Sequence, residues 1–189
     1  MNNNIILLGD ACSVSWLLDS CKIERETGLF EWCKGDNFSD VIYTINNIYN
    51  IDVEQYKLPG NVCIKGTDIY TSHYTLNSFT DKIKRRSKRF IDMIKSNVEL
   101  LFIRRDYWNV MLTKKDFDDF DKAVKNINPN CNYKFLLLNT TGDLITYKNL
   151  IHKMVKVNTM EEPKENKKNS EDIALWKNIF EELGITLNI

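Results

Sequence analysis

The sequence is short of histidine and of net charge, and both shortages narrow what the protein can be. It holds 2 histidines among 189 residues, and 26 basic residues against 26 acidic ones. A formally neutral chain carries no whole-molecule field for nucleic acid or an anionic membrane, so any such contact must rest on a local patch. Metal-ligand spacing is absent: there is no His-Glu-x-x-His, no Cys/His cluster and no calcium loop. Neither a Gly-x-Gly-x-x-Gly fingerprint nor a P-loop occurs, so the sequence indicates no cofactor and no metal. The five cysteines (Cys12, Cys21, Cys33, Cys63, Cys131) are odd in number and lack Cys-x-x-Cys spacing. They read as reduced thiols of a cytosol-like compartment. No apolar run reaches the length of a membrane span, and no basic segment precedes the first one, so neither signal peptide nor membrane anchor is expected. Without a secretory signal, the glycosylation acceptor patterns at Asn37 and Asn139 are discounted. The expected location is the cytoplasm. Internal repeats are absent.

What is present suits one globular domain spanning residues 1–189. Hydrophobic residues make up 43% of the chain and charged residues 28%, a balance that supports a core and excludes disorder. Ile5 to Leu8 is a short run without alternation, as in a strand buried on both faces. Gly9 breaks it, and Val14, Leu17, Leu18 and Cys21 then follow helical spacing, with Asp10 as the expected N-cap. Asn37 or Ser39 is placed to cap a second helix carrying Val41, Ile42, Ile45, Ile48 and Tyr49 inward. Val62–Ile64 and Ile69–His73 flank Lys65-Gly66-Thr67-Asp68, the pattern of a hairpin with a four-residue loop. A long helix is expected from Phe79 to Lys95, with Phe79, Ile83, Phe90, Ile91 and either Met93 or Ile94 turned inward.

Further along, Val98–Ile103 and Tyr133–Leu138 read as buried strands, and Met154–Val157 as a weaker one. Between the first two, Thr113-x-x-Asp116 resembles a capping box ahead of a stripe of Phe117, Phe120, Ala123, Val124 and Ile127. Residues 158–169 are charged and aperiodic, the mark of a solvated, mobile loop. Ser170 then caps a last helix, with Ile173, Trp176, Ile179, Phe180 and Leu183 inward and Gly184 closing it. Strands alternating with helices, three of them continuously apolar, predict an α/β fold: a three-layer sandwich around a mostly parallel central sheet.

The residues that point to chemistry are few. Cys12 falls in the expected first turn of a helix after a strand and a Gly9 turn, where free N–H groups and the helix dipole favour a thiolate. A buried free cysteine packing as a small hydrophobe is the plainer alternative. A thiol nucleophile needs a base, and of the two histidines His73, at a strand end, is favoured over His152, between a polar loop and a weak strand. Glu31 and Asp10 are the candidate orienting acids. Lys82, Arg85, Arg86 and Arg89 share one helical face, which reads either as a solvated surface or as a patch for phosphate, a nucleic-acid backbone or an acidic partner. No aromatics interleave with this run, which counts against nucleic acid. Arg104 closes a strand, where α/β clefts form.

In this order, Leu8-Gly9-Asp10-Ala11-Cys12, Leu29-Phe30-Glu31-Trp32, His73, Lys84-Arg85-Arg86 with Arg89-Phe90, and Leu101-Phe102-Ile103-Arg104 resemble the DUF1796 family. That family is labelled papain-like cysteine peptidase and is met in bacteria and large DNA viruses. Its pattern runs Leu-Gly-x-x-Cys, Pro-Phe-Asp-Trp, an isolated His, Arg-Arg-x-x-Arg-Phe and Phe-Val-Arg. Here Leu29 stands for its proline and Glu31 for its aspartate. The resemblance covers most of residues 4–105, and the Trp176 helix is similar to the family's last element. It implies Cys12 as nucleophile and His73 as base, with Gly9, Trp32, Arg86 and Arg104 lining the substrate site. The expected activity is an acyl-transferring thiol hydrolase or transferase on a peptide or other acyl substrate. The alternative is a non-catalytic binding protein, viral in the host cytoplasm, engaging a host protein or phosphate-bearing partner through the basic helix. The oligomeric state is left open.

Overall fold

The computed structural model describes residues 4–9, 13–20, 22–23, 25–35, 37–106, 112–139, 146–154 and 170–184. Its centre is a parallel sheet of four strands in the order β1 (Ile5–Leu7), β5 (Leu100–Asp106), β6 (Tyr133–Asn139) and β7 (Leu150–Met154). Every pairing in it is parallel, with Ile6 opposite Phe102, Phe102 opposite Phe135 and Leu137 opposite His152. Because β1, β5 and β6 are covered on both faces, their alternate residues enter two different cores. Ile6, Leu100, Phe102, Phe135 and Leu137 join the larger one, together with α2 (Phe38–Asn46), α3 (Leu76–Lys95) and α4 (Lys114–Ile127). Ile5, Leu7, Leu101, Ile103, Leu136 and Leu138 meet α1 (Ser13–Ser20) and α5 (Ser170–Glu182) on the other side. Helices on both faces of a parallel sheet make this an α/β fold in three layers.

The larger core is built on aromatic contacts. Phe38, Phe102, Phe117, Phe120, Phe135 and Tyr133 form a chain of edge-to-face and tilted pairs, such as Phe102–Phe120 at 5.1 Å and Phe117–Phe135 at 5.3 Å between ring centroids. Such pairs add to the burial of their area. A second, antiparallel sheet lies between α2 and α3 in sequence: β2 (Val53–Gln55), β3 (Val62–Ile64) and β4 (Tyr70–Thr71). The hairpin is as expected, with the Ile64 N–H donating to the Ile69 carbonyl across the four-residue loop.

Element boundaries depart from the sequence reading in several places; β4, for one, covers Tyr70–Thr71 of the expected Ile69–His73, so His73 follows the strand. The long helix begins at Leu76 and not Phe79, because Thr75 and Ser78 form a reciprocal capping box ahead of the apolar stripe. It is Ile94 that points fully inward, while Met93 only flanks the core. The second helix stops at Asn46 and a single 3₁₀ turn, Ile48–Asn50, follows; this swings Tyr49 outward to 62% exposure, against the inward position its spacing implied. The second buried strand starts at Leu100, leaving Val98 53% exposed. The last strand among the described residues is Leu150–Met154, so His152 lies within a strand; residues 155–157 of the expected Met154–Val157 strand lie outside the described residues. The capping box Thr113–Asp116 and the closure of the last helix at Gly184, φ +70°, are as expected. Residues 158–169 lie outside the described residues.

Candidate functional site

The site is best built from the carboxyl end of β1. Gly9 follows that strand at φ +78°, a left-handed conformation that glycine adopts at no steric cost. A Cβ placed there would sit 3.5 Å from the Phe30 Cβ, so the strand end abuts the turn formed by residues 29–32. Leu29 and Phe30 in that turn and Cys33 just after it are buried, and Trp32 is held at φ +65°. That conformation is costly for a bulky L-residue and persists only where its surroundings dictate it. Three sets of bonds do so. The Cys33 N–H donates to the Phe30 carbonyl, the Arg86 guanidinium donates to the Glu31 carbonyl at 2.9 Å, and Lys34 forms a two-bond antiparallel bridge with Tyr70.

The Lys34–Tyr70 bridge explains how two residues 41 positions apart in sequence meet. It runs the chain after the turn antiparallel to β4, so residues just before Lys34 lie beside those just after Tyr70. The ring of Trp32 accordingly meets that of His73 edge-on, with centroids 5.6 Å apart and planes at 76°. Thr71 Oγ1 accepts a hydrogen bond from the His73 N–H. The next residue, Tyr74, is gripped by α3: Arg86 donates to its hydroxyl at 3.2 Å, and Lys82 lies over its ring at 4.9 Å. Arg86 is 3% exposed and so holds the Trp32 turn and the His73 segment together from one buried guanidinium. This corrects the expectation of an open basic face containing Arg86. Arg89, on the same side, donates to the Thr27 carbonyl and pairs with Glu26 at 3.3 Å.

Glu31 is buried with both carboxylate oxygens engaged away from the histidine. Oε1 accepts from the Gly28 N–H at 2.7 Å, and Oε2 accepts from Arg25 at 3.0 Å. Arg25 also donates to Asp19 and to the Ser15 carbonyl of α1. Glu31 therefore closes its own turn and ties it to α1. This arrangement replaces its expected task of orienting an imidazole. Nothing in the sequence marks Arg25 as its partner, since a spacing of six pairs residues only once the turn brings the ends together. Tyr74 was missed for the same reason.

Arg104 is fully buried, not lining an open cleft. It donates to the Leu8 carbonyl at 3.1 Å, joining β5 to the residue before Gly9, and its guanidinium lies over the Phe38 ring at 5.1 Å. His152 sits in β7 in the same row as Arg104, both flanking Leu137, and its burial pulls its pKa below the ordinary imidazole value. Cys12 and Asp10 lie outside the described residues; in sequence they fall between Gly9 and the start of α1 at Ser13. Cys33, Cys63 and Cys131 are buried, and burial pushes the latter two above the usual thiol pKa. Among the described residues no group of three or more His, Cys, Asp or Glu is placed to hold a metal ion, and no helix is long and apolar enough to cross a membrane.

Comparison with known proteins returned nothing: no family model, no curated protein and no solved structure matches this chain.

Proposed function

We propose that the protein is a cysteine-nucleophile hydrolase or transferase acting through Cys12 and His73, with peptide-like acyl groups as substrate. One observation carries this reading. Gly9, the Phe30–Trp32 turn, His73, Arg86 and Arg104 are spread over nearly a hundred residues of sequence, yet they form one continuous set of contacts at the carboxyl end of β1. Those are the residues that carry the resemblance to papain-like cysteine peptidases, and strand ends of that kind are where α/β enzymes place their sites. A non-glycine residue in the left-handed region within the same cluster adds support, because such strain gathers at functional sites.

In this mechanism the His73 imidazole takes the Cys12 thiol proton, and the thiolate attacks the substrate carbonyl carbon. Main-chain N–H groups at the start of α1 hold the developing oxyanion. Collapse expels the leaving group, which takes the proton back from His73, and leaves an acyl-cysteine for water or a second nucleophile to resolve. The Trp32 edge against the imidazole limits its rotation. The test is the alkylation rate of each cysteine against pH, read by peptide mass spectrometry, in the wild type and in His73→Ala. Cys12 should react well below the ordinary thiol pKa of about 8.5 and lose that behaviour in the variant. Cys63 and Cys131, with raised pKa values, serve as slow internal references. Equal, slow rates at all three would end the nucleophile reading.

A further inference from the structure

The structure redistributes the basic helix. Its sequence face of Lys82, Arg85, Arg86 and Arg89 does not survive folding, since Arg86 is buried and Arg89 is paired with Glu26. A different stripe faces outward. Lys84, Lys88 and Lys95 are all exposed, and together with the half-buried Ile91 they recur at the i, i+4, i+7, i+11 positions of one helical face. This stripe borders a groove of about 240 Å³ between α3 and the 3₁₀ turn after α2. Ile48, Ile51 and Ile91 supply its apolar walls, Lys84 and Lys88 its rim, and among the described residues no carboxylate lines it. Tyr49, turned outward by the 3₁₀ turn, stands at its edge with the Lys95 ammonium 5.8 Å from its ring centroid. Asp92, four residues after Lys88 on the helix, lines a separate cavity with Arg25 and Arg89.

We propose that this groove is a docking site for an acidic peptide segment of a partner protein that inserts an aliphatic or aromatic side chain between the isoleucines. The argument is charge complementarity joined to an apolar slot. Three exposed ammonium groups, two of them on the groove's rim, attract acidic residues on either side of the anchor, and the isoleucine walls reward burial of the anchor itself. Exposed aromatics such as Tyr49 are the side chains enriched at the centres of such interfaces. A nucleic-acid strand fits less well. Its phosphates would meet the lysines, but the slot between isoleucines offers the bases no ring to stack on beyond Tyr49.

The experiment is selection of a random 12-residue peptide library displayed on phage against the intact protein. The enriched peptides are then synthesised with a fluorescent label and titrated by polarisation. The docking site requires that they be acidic with one or two large apolar residues. Affinity should fall at least tenfold in Lys84→Glu/Lys88→Glu and in Ile91→Asp, and hold in the control Lys65→Glu, which lies in the hairpin loop. The two lysines are exposed, so the double variant keeps its fold even if Ile91→Asp does not, and circular dichroism checks both. Absence of enriched peptides, enrichment of peptides without acidic residues, or binding unchanged in the lysine variant overturns the proposal. So does tight, lysine-dependent binding of a 20-nucleotide single strand with no peptide binding, which would assign the groove to nucleic acid.

Discussion

Arg86 is the residue on which the candidate site's geometry turns. Its guanidinium bonds the Glu31 carbonyl and the Tyr74 hydroxyl, so one buried side chain holds both the strained Trp32 turn and the segment carrying His73. Hydrogen bonds from a charged donor are worth about 1.5–3 kcal/mol each, and removing this one leaves the Glu31 carbonyl, among the described residues, only the weak Cys33 thiol donor at 3.8 Å. Arg86→Met is therefore expected to lower unfolding stability by about 2–4 kcal/mol in urea titrations. Arg86→Lys should recover only part of that, because an ammonium reproduces the charge without the planar fork that reaches two acceptors. If Arg86→Met unfolds at the wild-type urea midpoint, the clamp is not the stabilising contact the distances imply. Sequence spacing placed Arg86 among solvent-facing cations; only the packing of α3 against the turn reveals its burial.

At the scale of elements, Asp121 on α4 joins three parts of the larger face. It accepts a hydrogen bond from Tyr133 at the start of β6 and pairs with Lys125 on its own helix and with Lys148 ahead of β7. Partial burial opposes its ionisation, but Tyr133, Lys125 and Lys148 together outweigh that and hold its pKa below the ordinary carboxylate value. A depressed folded-state pKa means that the unfolded chain binds the proton more readily. Its stabilising contribution is thus complete above the unfolded value of about 3.9 and is lost as pH falls through the lower folded value. Asp121→Asn should accordingly destabilise the protein at pH 7, and the difference from wild type should shrink as pH falls below about 4. Thermal unfolding from pH 2 to pH 7 measures both; a constant difference across that range would show that the ionised carboxylate is not what joins these elements. The same contact raises the Tyr133 pKa, since burial and the neighbouring carboxylate both disfavour phenolate.

Over the whole molecule the two sheets differ in how well they are enclosed. β5 and β6 are bonded on both edges and covered by helices on both faces, whereas the β2–β3–β4 sheet has only short strands of two or three residues. Amide exchange follows the cost of exposing each group. Amides of Phe102, Ile103, Leu136 and Leu137 are expected to exchange slowest, at rates set by global unfolding, and those of Glu54 and Gln55 orders of magnitude faster. Hydrogen exchange read residue by residue by NMR checks this. Uniform protection would mean that the two sheets unfold as one unit.

The sequence by itself determined the layered architecture. Three uninterrupted apolar runs leave both faces of a strand to be buried, and helical stripes between them supply the cover, so local pattern and global fold demand the same thing. It also carried the hairpin, the capping box at Thr113 and the helix end at Gly184, all set by contacts within four residues or so. Tertiary structure alone decided the partners of the polar residues. Glu31 turns to Gly28 and Arg25, Arg86 is drawn inside, Arg104 reaches back 96 residues to Leu8, and Tyr49 swings out where one helix gives way to a 3₁₀ turn. A charged side chain has no periodicity to betray its partner: where its hydrogen bonds go depends on which distant main-chain groups folding leaves unpaired beside it.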